Sequence, residues 1–387
     1  MYSLLLVIFI TCTLLILHTY LFYPLGMILF CRKARYTPVK YKNNEELPVV
    51  AVLVAAYNEE KVIGEKIISV FNSTYPAEKI KVYVGSDASA DKTDKIVASL
   101  QLSYPNLELV RFQGRVGKIS IINHLQSLGE EDILVMTDAN VIFTPDTIGE
   151  LVSSFKDQKV GIVAGNIIKK ASDHKGIALQ EKVYLSLENR LKAAESNGFG
   201  LVMGAEGGCY AIRNSLFSKV PLKFIVDDFY ITMQVLLRGK IVLFNTNALC
   251  FEDVPGDSPG EFRRKVRISS GNFQNLFFFR EVLFRFTPLA FSFWSHKVLR
   301  WFTPFFLLLA FLSSVALGYY DDRFFWLAAL QLLGMLIPLL SHIFRSTPGP
   351  LKFISHFYLM NFALLQGFVR FIKGIKSSVW QPLNRNV

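Results

Sequence analysis

Residues 4–30 contain no Asp, Glu, Lys or Arg, and most side chains in this run are apolar. A helix of about 20 such residues crosses the hydrocarbon core of a bilayer. A cleaved signal peptide would carry its basic residues before the apolar run, whereas here Arg32, Lys33 and Arg35 follow it. The sequence therefore predicts a transmembrane signal anchor over residues 1–31, with the N-terminus outside and the following residues in the cytoplasm.

A second apolar block begins at Trp301, and a short polar break at residues 321–323 divides it. This pattern predicts two further spans joined by a tight outer turn. Residues 351–375 are also hydrophobic, but polar or basic side chains interrupt them at His356, Asn361, Gln366 and Arg370. The region 301–375 therefore contains two or three transmembrane or interfacial segments. The positive-inside rule favours an interfacial last segment, because a spanning one would place the basic tail at 376–387 outside.

Residues 276–300 combine aromatic side chains with several Lys and Arg, which is typical of amphipathic helices in contact with membrane lipids. The whole chain of 387 residues is 51% hydrophobic and only 19% charged, with a net charge of +11. Because much of the basic excess flanks apolar segments, we interpret it as the topology signal of an integral inner- or plasma-membrane protein. The polar middle of the chain has no basic stripe interleaved with aromatics, so we expect no nucleic-acid partner.

Residues 45–275 have the composition of a soluble domain in which strands alternate with helices. Apolar β-branched runs end in polar turns and pass into helical patterns at 48–60, 80–93 and 132–140. This alternation predicts an α/β fold with a mostly parallel sheet. Ligands of such sheets bind outside the carboxyl ends of the strands, where Asp87 and Asp138 are expected.

The residues at these strand ends narrow the class of ligand. The chain has no GxGxxG and no P-loop lysine, which are the usual phosphate-binding loops of dinucleotide and ATP sites. Asp138 and Asn140 could instead supply oxygen ligands to Mg²⁺ or Mn²⁺ bridging a nucleotide diphosphate. The same spacing also occurs in solvated turns and helix caps. Lys118, in the segment GRVGK, is similarly compatible with a simple surface position.

Asp227 and Asp228 follow an apolar run and open a helical pattern. Acidic residues suit the N-terminus of a helix, so capping alone would account for them. Adjacent carboxylates also repel each other, which can raise the pKa of one of them and make it a general base. Each motif by itself leaves both interpretations open, and the order of all the motifs in one chain decides between them.

That order resembles the processive-type family 2 glycosyltransferases, the membrane-embedded group that includes chitin, hyaluronan, cellulose and poly-N-acetylglucosamine synthases. The resemblance covers roughly residues 48–300 and the flanking spans. The matching pieces, in chain order, are AAYNEE (55–60), SDASADKT (86–93), GRVGKISIIN (114–123), TDAN (137–140), GAEGGCYAIR (204–213), VDDFYIT (226–232) and RRKVRI (263–268). It implies a GT-A type nucleotide-sugar domain flanked by transmembrane helices.

The resemblance also implies a role for individual residues. The nucleotide-sugar site would comprise Tyr57, Glu59, Asp87, Lys118, Asp138, Arg264 and Arg267. Asp138 and Asn140 match the metal site of the family, with Asn140 in the place of a second acid. Asp228 matches the catalytic base, and Asp227 stands where the family has Glu. Gly204 and Glu206 fall in the acceptor-side segment.

The last motif departs from the family pattern at Ile268. The family has a Trp at this position, which stacks on the acceptor sugar. An aliphatic side chain offers no aromatic face, so the substitution puts processive polymerisation in doubt.

The resemblance thus implies a membrane-bound, metal-dependent, inverting glycosyltransferase. It would move a sugar from a UDP-sugar to a saccharide or lipid-linked saccharide acceptor, in the synthesis of a cell-surface or extracellular polysaccharide. Two alternatives remain open at this point: a polyprenyl-phosphate glycosyltransferase and a catalytically silent nucleotide-sugar-binding membrane protein. A transporter or purely structural membrane protein is disfavoured, because about 230 residues read as a soluble α/β domain.

Overall fold

A computed structural model describes residues 1–31, 33, 36–42, 45–170, 178–253, 258–344 and 349–375. The described residues divide into two compact units. The sheet unit comprises those within 30–170 and 188–253, and the helical unit comprises those within 1–29, 178–187 and 258–375. The expected tail at 376–387 lies outside the described residues, as do Arg32 and Arg35.

The described strands of the sheet unit form one sheet, with the spatial order β3-β2-β1-β4-β7-β6-β8-β5. These strands are β1 (Val50–Ala56), β2 (Ile80–Ser86), β3 (Leu107–Arg111), β4 (Ile133–Asp138), β5 (Val141–Phe143), β6 (Val160–Lys170), β7 (Cys209–Arg213) and β8 (Ile241–Asp253).

The described helices are α1 (Tyr2–Leu17), α2 (Tyr23–Phe30), α3 (Ile63–Phe71), α4 (Thr93–Gln101), α5 (Lys118–Leu125), α6 (Thr147–Val152), α7 (Ala178–Phe199), α8 (Asp227–Leu237), α9 (Ser258–Phe278), α10 (Pro288–Ser292), α11 (Leu299–Leu317), α12 (Asp322–Phe344) and α13 (Gly349–Ile372).

The sheet is parallel in the half that carries the sequence motifs and mixed in the other half. Strand β1 pairs in parallel with β2 and β4, and β2 pairs in parallel with β3. Strand β7 runs antiparallel to β4 and β6, and β5 runs antiparallel to β8, whereas β6 and β8 are parallel. The α/β class is thus confirmed, and the parallel half brings the carboxyl ends of β1, β2 and β4 to one edge.

The core of the sheet unit explains why β1 reads as an unbroken apolar run. All seven of its residues are buried, as expected of a parallel strand that is covered on both faces. Helix α3 buries Ile63, Ile67 and Val70 at helical spacing. Gly85 of β2 allows α5 to approach closely, because a Cβ there would lie 2.2 Å from Cγ2 of Ile121.

Three helical stretches among the described residues are long and apolar enough to cross a membrane: Tyr2–Phe30, Pro288–Leu317 and Asp322–Leu340. The second begins before Trp301, where the sequence predicted its start. The first two contain π-helical turns at His18–Phe22 and Phe293–Val298. The hydroxyl of Thr19 donates a hydrogen bond to the carbonyl of Ser295, 2.8 Å away, which joins these turns.

Helix α13, which covers residues 351–372 of the ambiguous segment 351–375, is not among these candidate spans. It packs against α9 within the helical unit. The hydroxyl of Ser269 donates to the carbonyl oxygen of Leu364 at 3.0 Å, and the rings of Phe273 and Phe368 lie 4.9 Å apart. The close approach occurs at Gly367, where a Cβ would lie 2.3 Å from the Ser269 side chain.

The contact at Gly85 gives a test of the sheet unit. We expect Gly85→Ala to lower the free energy of unfolding by about 1–3 kcal/mol, because the added methyl group overlaps Ile121. The same change made in an Ile121→Ala background should cost much less. Gly64→Ala on α3 is the control, since its Cβ would lie an ordinary 3.4 Å from Ile96. Thermal unfolding of the purified protein measures all four variants, and equal effects of Gly85→Ala in both backgrounds would contradict the packing.

Candidate active site

The carboxyl ends of three neighbouring strands bring Tyr57, Asp87 and Asp138 to one edge of the sheet. In the strand register Ala56 pairs with Ser86, and Ala55 pairs with Asp138. The turns that follow β1 and β2 place Asn58 and Ala88 at φ values of 53° and 55°, a left-handed conformation that non-glycine residues rarely adopt. Strain of this kind is concentrated at functional sites.

Asp87 lies fully buried at the end of β2 and accepts hydrogen bonds from the segment that precedes α5. Its carboxylate accepts from the backbone N–H of Val116 at 2.6 Å and of Gly117 at 3.2 Å, and from Nε of Arg115 at 3.0 Å. These bonds fix the start of α5, where Gly117 has a φ of 86°. Asp87 therefore acts on its surroundings mainly through the groups that it positions.

Arg115 covers the face of Tyr57, with its guanidinium carbon 3.2 Å from the ring centroid. The sequence motifs did not single out this arginine, although it lies within the segment GRVGK. Glu59, also expected at the nucleotide, is largely buried, and its backbone N–H donates to the hydroxyl of Thr93 at 2.8 Å. Tyr57, Asp87 and Arg115 thus form one connected group at this edge.

Lys118 is the first residue of α5, and its ammonium lies 2.6 Å from Oδ1 of Asp138. Burial lowers the pKa of Lys118, but the carboxylates of Asp138 and Asp227 outweigh this effect and raise it above its ordinary value. Lys118 is therefore a persistent cation beside Asp138.

Asp228 is the second residue of α8 and lies close to the same lysine. Its carboxylate accepts hydrogen bonds from the backbone N–H of Gly207 at 2.8 Å and of Phe229 at 2.7 Å. A Cβ at Gly207 would lie 3.0 Å from Oδ2 of Asp228 and 3.5 Å from Nζ of Lys118. Gly207 is thus a further residue that the sequence analysis missed, and a side chain there would crowd the carboxylate of Asp228.

The environment of Asp228 makes it a carboxylate that exchanges protons near neutral pH. Burial, followed by the charge of Asp227, raises its pKa to about 7, against the opposing effects of Lys118 and the two backbone N–H groups. A group with such a pKa is suited to general base chemistry, while the neighbouring ammonium can stabilise an anion. The hydroxyl of Tyr210 is buried nearby, and among the described side chains it lacks a hydrogen-bond partner.

Asn140 lies in the turn between β4 and β5, two residues after Asp138. Its Nδ2 donates to Oε1 of Glu252 at 3.3 Å, which leaves the amide oxygen as an acceptor. Among the described residues no cluster of three His, Cys, Asp or Glu side chains could hold a metal. A carboxylate and an amide oxygen are nevertheless the hard ligands that Mg²⁺ and Mn²⁺ prefer, so the chemistry of this turn fits such an ion.

The acceptor-side residues Gly204 and Glu206 come just before Gly207, whose N–H donates to Asp228. Gly204 has a φ of 97°, and a Cβ there would lie 3.1 Å from the ring of Phe229. Glu206 forms an ion pair with the buried ammonium of Lys192 on α7. Burial raises the pKa of Glu206, but the ammonium of Lys192 lowers it, and the net pKa is below its usual value.

Arg264, Arg267 and Ile268 lie on α9, in the helical unit. Nε and Nη2 of Arg264 donate to the carboxylate of Glu261 at 2.7 and 2.8 Å, which forms a bidentate pair. The expected roles of these α9 residues at the diphosphate and the acceptor therefore stay predictions. In the sheet unit, by contrast, the predicted residues Asp138 and Asp228 both lie beside Lys118.

Residues 51–220 match the sequence family described as Glycosyl transferase family 2. This segment is a family 2 glycosyltransferase domain. The finding confirms the family that the motifs indicated.

Two curated relatives illustrate the range of proteins that share the glycosyltransferase domain. The chain is 26% identical over 273 residues to the poly-beta-1,6-N-acetyl-D-glucosamine synthase of Staphylococcus aureus strain COL, a match that covers 66% of this chain and 65% of the synthase. It is 33% identical over 143 residues to the beta-monoglucosyldiacylglycerol synthase of Trichormus variabilis, which covers 36% of this chain and 30% of that protein. The chain thus spans only about two thirds of the length of its staphylococcal relative.

A solved structure matches the fold over nearly the whole chain. The mannosyltransferase PcManGT from Pyrobaculum calidifontis, determined in complex with GDP-Man and Mn²⁺, superposes with a TM-score of 0.71 at 22% sequence identity. The match covers 94% of this chain and 99% of that chain. It confirms the predicted GT-A type α/β fold.

The raised pKa of Asp228 predicts a specific pH dependence of stability. Between its ordinary pKa near 3.8 and its folded pKa of about 7, the folded chain holds a proton that the unfolded chain has released. Stability contributed by this proton is therefore lost as the pH rises through that window. Asp228→Asn removes the effect, so its unfolding temperature should rise relative to wild type between pH 5 and pH 8, by at least about 2–4 °C.

The matched control is Asp94→Asn, which alters an aspartate in the first turn of α4 that pairs with Arg111 outside the site. Its difference from wild type should stay constant over this pH range. A constant difference for Asp228→Asn as well would contradict the raised pKa.

Proposed function

We propose that this protein is a membrane-bound inverting glycosyltransferase that moves a sugar from a UDP-sugar to a saccharide or lipid-linked saccharide acceptor, in cell-surface or extracellular polysaccharide synthesis. The observation that carries the proposal is the Asp228 carboxylate, with a pKa of about 7, beside the ion pair of Lys118 and Asp138. The family 2 glycosyltransferase domain and the similarity to a polysaccharide synthase support it.

The donor nucleotide is proposed to bind at the edge formed by β1 and β2. Tyr57 and Arg115 offer a flat, cationic surface to a nucleobase. Asp87 holds Arg115 and the start of α5 in place, and Glu59 adds a further carboxylate near the ribose. This assignment gives Asp87 a positioning role, since its carboxylate is buried and already accepts several hydrogen bonds.

The donor diphosphate is proposed to bind next to Lys118 and the turn at Asp138 and Asn140. These two oxygen-bearing residues would hold Mg²⁺ or Mn²⁺. When bound, such an ion supplies positive charge that stabilises the departing diphosphate. The ammonium of Lys118 adds a charge from the protein itself.

Asp228 is proposed to act as the catalytic base. Its carboxylate takes the proton from an acceptor hydroxyl as that oxygen forms a bond to the anomeric carbon of the sugar. The bond from this carbon to the diphosphate breaks at the same time, and the electron pair leaves with UDP. A single displacement of this kind inverts the configuration, while Asp227 helps to keep the pKa of Asp228 high.

The acceptor is proposed to lie beside Gly204 and the ion pair of Glu206 with Lys192. Ile268 favours a second candidate, in which a lipid is itself the acceptor and receives a single sugar. An aliphatic side chain suits an acyl or isoprenoid chain better than a sugar ring, and one relative of the domain is named beta-monoglucosyldiacylglycerol synthase.

The proposed location is the inner or plasma membrane, with the N-terminus outside and the glycosyltransferase domain within 45–275 in the cytoplasm. Three apolar helical stretches of sufficient length support membrane insertion. The basic residues that follow the first of them support this orientation.

Replacement of the base tests the proposed chemistry. Asp228→Asn should reduce the rate of sugar transfer by roughly 10²–10⁴-fold, because general base catalysis contributes that much. Binding of the nucleotide should persist, since Asp228 does not contact the nucleobase or the ribose in this mechanism. Asp94→Asn serves as the control and should retain activity. Near-normal transfer by Asp228→Asn would refute the assignment of the base.

The identity of the reaction follows from the products. Purified full-length protein should release nucleotide from one of UDP-Glc, UDP-GlcNAc, UDP-Gal or GDP-Man in the presence of Mn²⁺, and EDTA or Asp138→Ala should stop the release. Mass spectrometry of the products then separates a polymer, a neutral glycolipid and a lipid-phosphate sugar. Nucleotide binding without any release would instead indicate a catalytically silent protein, and activity in EDTA would refute the metal requirement.

A further inference from the structure

A buried lysine lies beneath the turn that carries Asp138 and Asn140. Lys66 of α3 is fully buried, and its ammonium lies 3.3 Å from the ring centroid of Phe143. Nζ of Lys66 donates a hydrogen bond to Oγ1 of Thr137 at 2.9 Å and another to the carbonyl oxygen of Val141 at 2.6 Å.

The two acceptors of Lys66 flank the turn on both sides. Thr137 precedes Asp138, and Val141 follows Asn140, so one ammonium joins the two ends of this short segment. The hydroxyl of Thr137 donates in turn to the carbonyl oxygen of Gly208 at 2.8 Å. Gly208 follows Gly207, whose N–H donates to Asp228. A chain of hydrogen bonds therefore runs from Lys66 to the loop that supports the proposed base.

Packing alone does not explain a lysine at this position. Burial of an ammonium group costs several kcal/mol unless hydrogen bonds compensate it, and an apolar side chain of similar length would fill the same volume without that cost. The other buried residues of α3 that pack in the core, such as Ile63 and Ile67, are apolar. The hydrogen bonds to the turn are the specific feature that Lys66 adds.

We propose that Lys66 is a positioning residue that holds the turn at Asp138 and Asn140 in the geometry required to bind a divalent cation together with the donor diphosphate. This inference rests on the metal site of the proposed function. It concerns a residue that touches neither the cation nor the substrate. Burial lowers the pKa of Lys66 to about 7. Both the ammonium and the neutral amine can donate two hydrogen bonds, so Lys66 can hold Thr137 and Val141 in either protonation state.

The test compares Lys66→Met with wild type in the binding of Mn²⁺ and nucleotide by the purified full-length protein. Methionine keeps most of the side-chain volume and removes the donors. The affinity for the cation is measured from the electron paramagnetic resonance signal of free Mn²⁺. Two parallel series are run, one with UDP and one with GDP. We expect Lys66→Met to weaken Mn²⁺ binding by at least roughly tenfold, a loss typical of removing an outer-shell partner of a metal site.

Two controls separate positioning from general damage. Lys95→Met, at an exposed lysine on α4, should bind Mn²⁺ and nucleotide as wild type does. Metal-free binding of the nucleotide to Lys66→Met should be unchanged, because Tyr57 and Arg115 lie on a different part of the edge. Unchanged Mn²⁺ affinity in Lys66→Met, or an equal loss of metal-free nucleotide binding, would overturn the proposal.

Thr137→Val provides a second variant if Lys66→Met does not fold. It retains the lysine but removes the hydroxyl that accepts from Nζ, so we expect a smaller loss of Mn²⁺ affinity in the same direction. The rescue variant Thr137→Ser keeps the hydroxyl and should bind Mn²⁺ as wild type does. A loss of Mn²⁺ affinity in Thr137→Ser as large as that in Thr137→Val would count against the proposed role of Lys66.

The outcome also separates this proposal from the proposed function. If wild type binds Mn²⁺ with nucleotide and Lys66→Met binds it more weakly, Lys66 has the proposed role even where no sugar is transferred. If wild type transfers sugar but Lys66→Met has normal Mn²⁺ affinity, only the role of Lys66 is refuted. A wild type that binds no Mn²⁺ with either nucleotide overturns the role of Lys66 directly.

Discussion

The ammonium of Lys118 is the interaction on which the geometry of the site depends. It forms an ion pair with Asp138 at the end of β4 and lies beside Asp228 at the start of α8. Its own position is fixed from a third element, strand β2, because Asp87 at the end of this strand accepts hydrogen bonds from the N–H groups that precede α5. The buried carboxylate of Asp87 thus determines where α5 begins, and through Lys118 it relates two carboxylates that are distant in sequence.

The parallel half of the sheet and its functional edge could be predicted from the sequence. Strands that are buried on both faces read as unbroken apolar runs, and the polar residues that end them must meet at one edge. Asp87 and Asp138 were found in this way, whereas Tyr57 was assigned through the resemblance to family 2 glycosyltransferases. The antiparallel strands β5 and β7 were not, because they are short and their pairing partners lie far away in the chain.

The residues that sequence reasoning missed act through proximity that no local pattern encodes. Gly207 matters because a side chain there would crowd the carboxylate of Asp228, which lies 21 residues later in the sequence. Arg115 matters because it covers Tyr57 from another segment. Lys66 did carry a local indication, since a lysine on the apolar face of an amphipathic helix contradicts the pattern. Such a contradiction marks a buried charge with a specific partner, here Thr137.

Asp138 and Asp228 are chemically identical side chains whose surroundings assign them different tasks. The ammonium of Lys118 directly contacts the carboxylate of Asp138 at 2.6 Å. Asp228 is half-buried beside another carboxylate, Asp227, and the partial loss of solvent together with that charge raises its pKa to about 7. A carboxylate with such a pKa can take up a proton near neutral pH, as a general base must. Because Lys118 is shared between them, a change that draws its ammonium toward Asp138 also weakens its opposition to the raised pKa of Asp228.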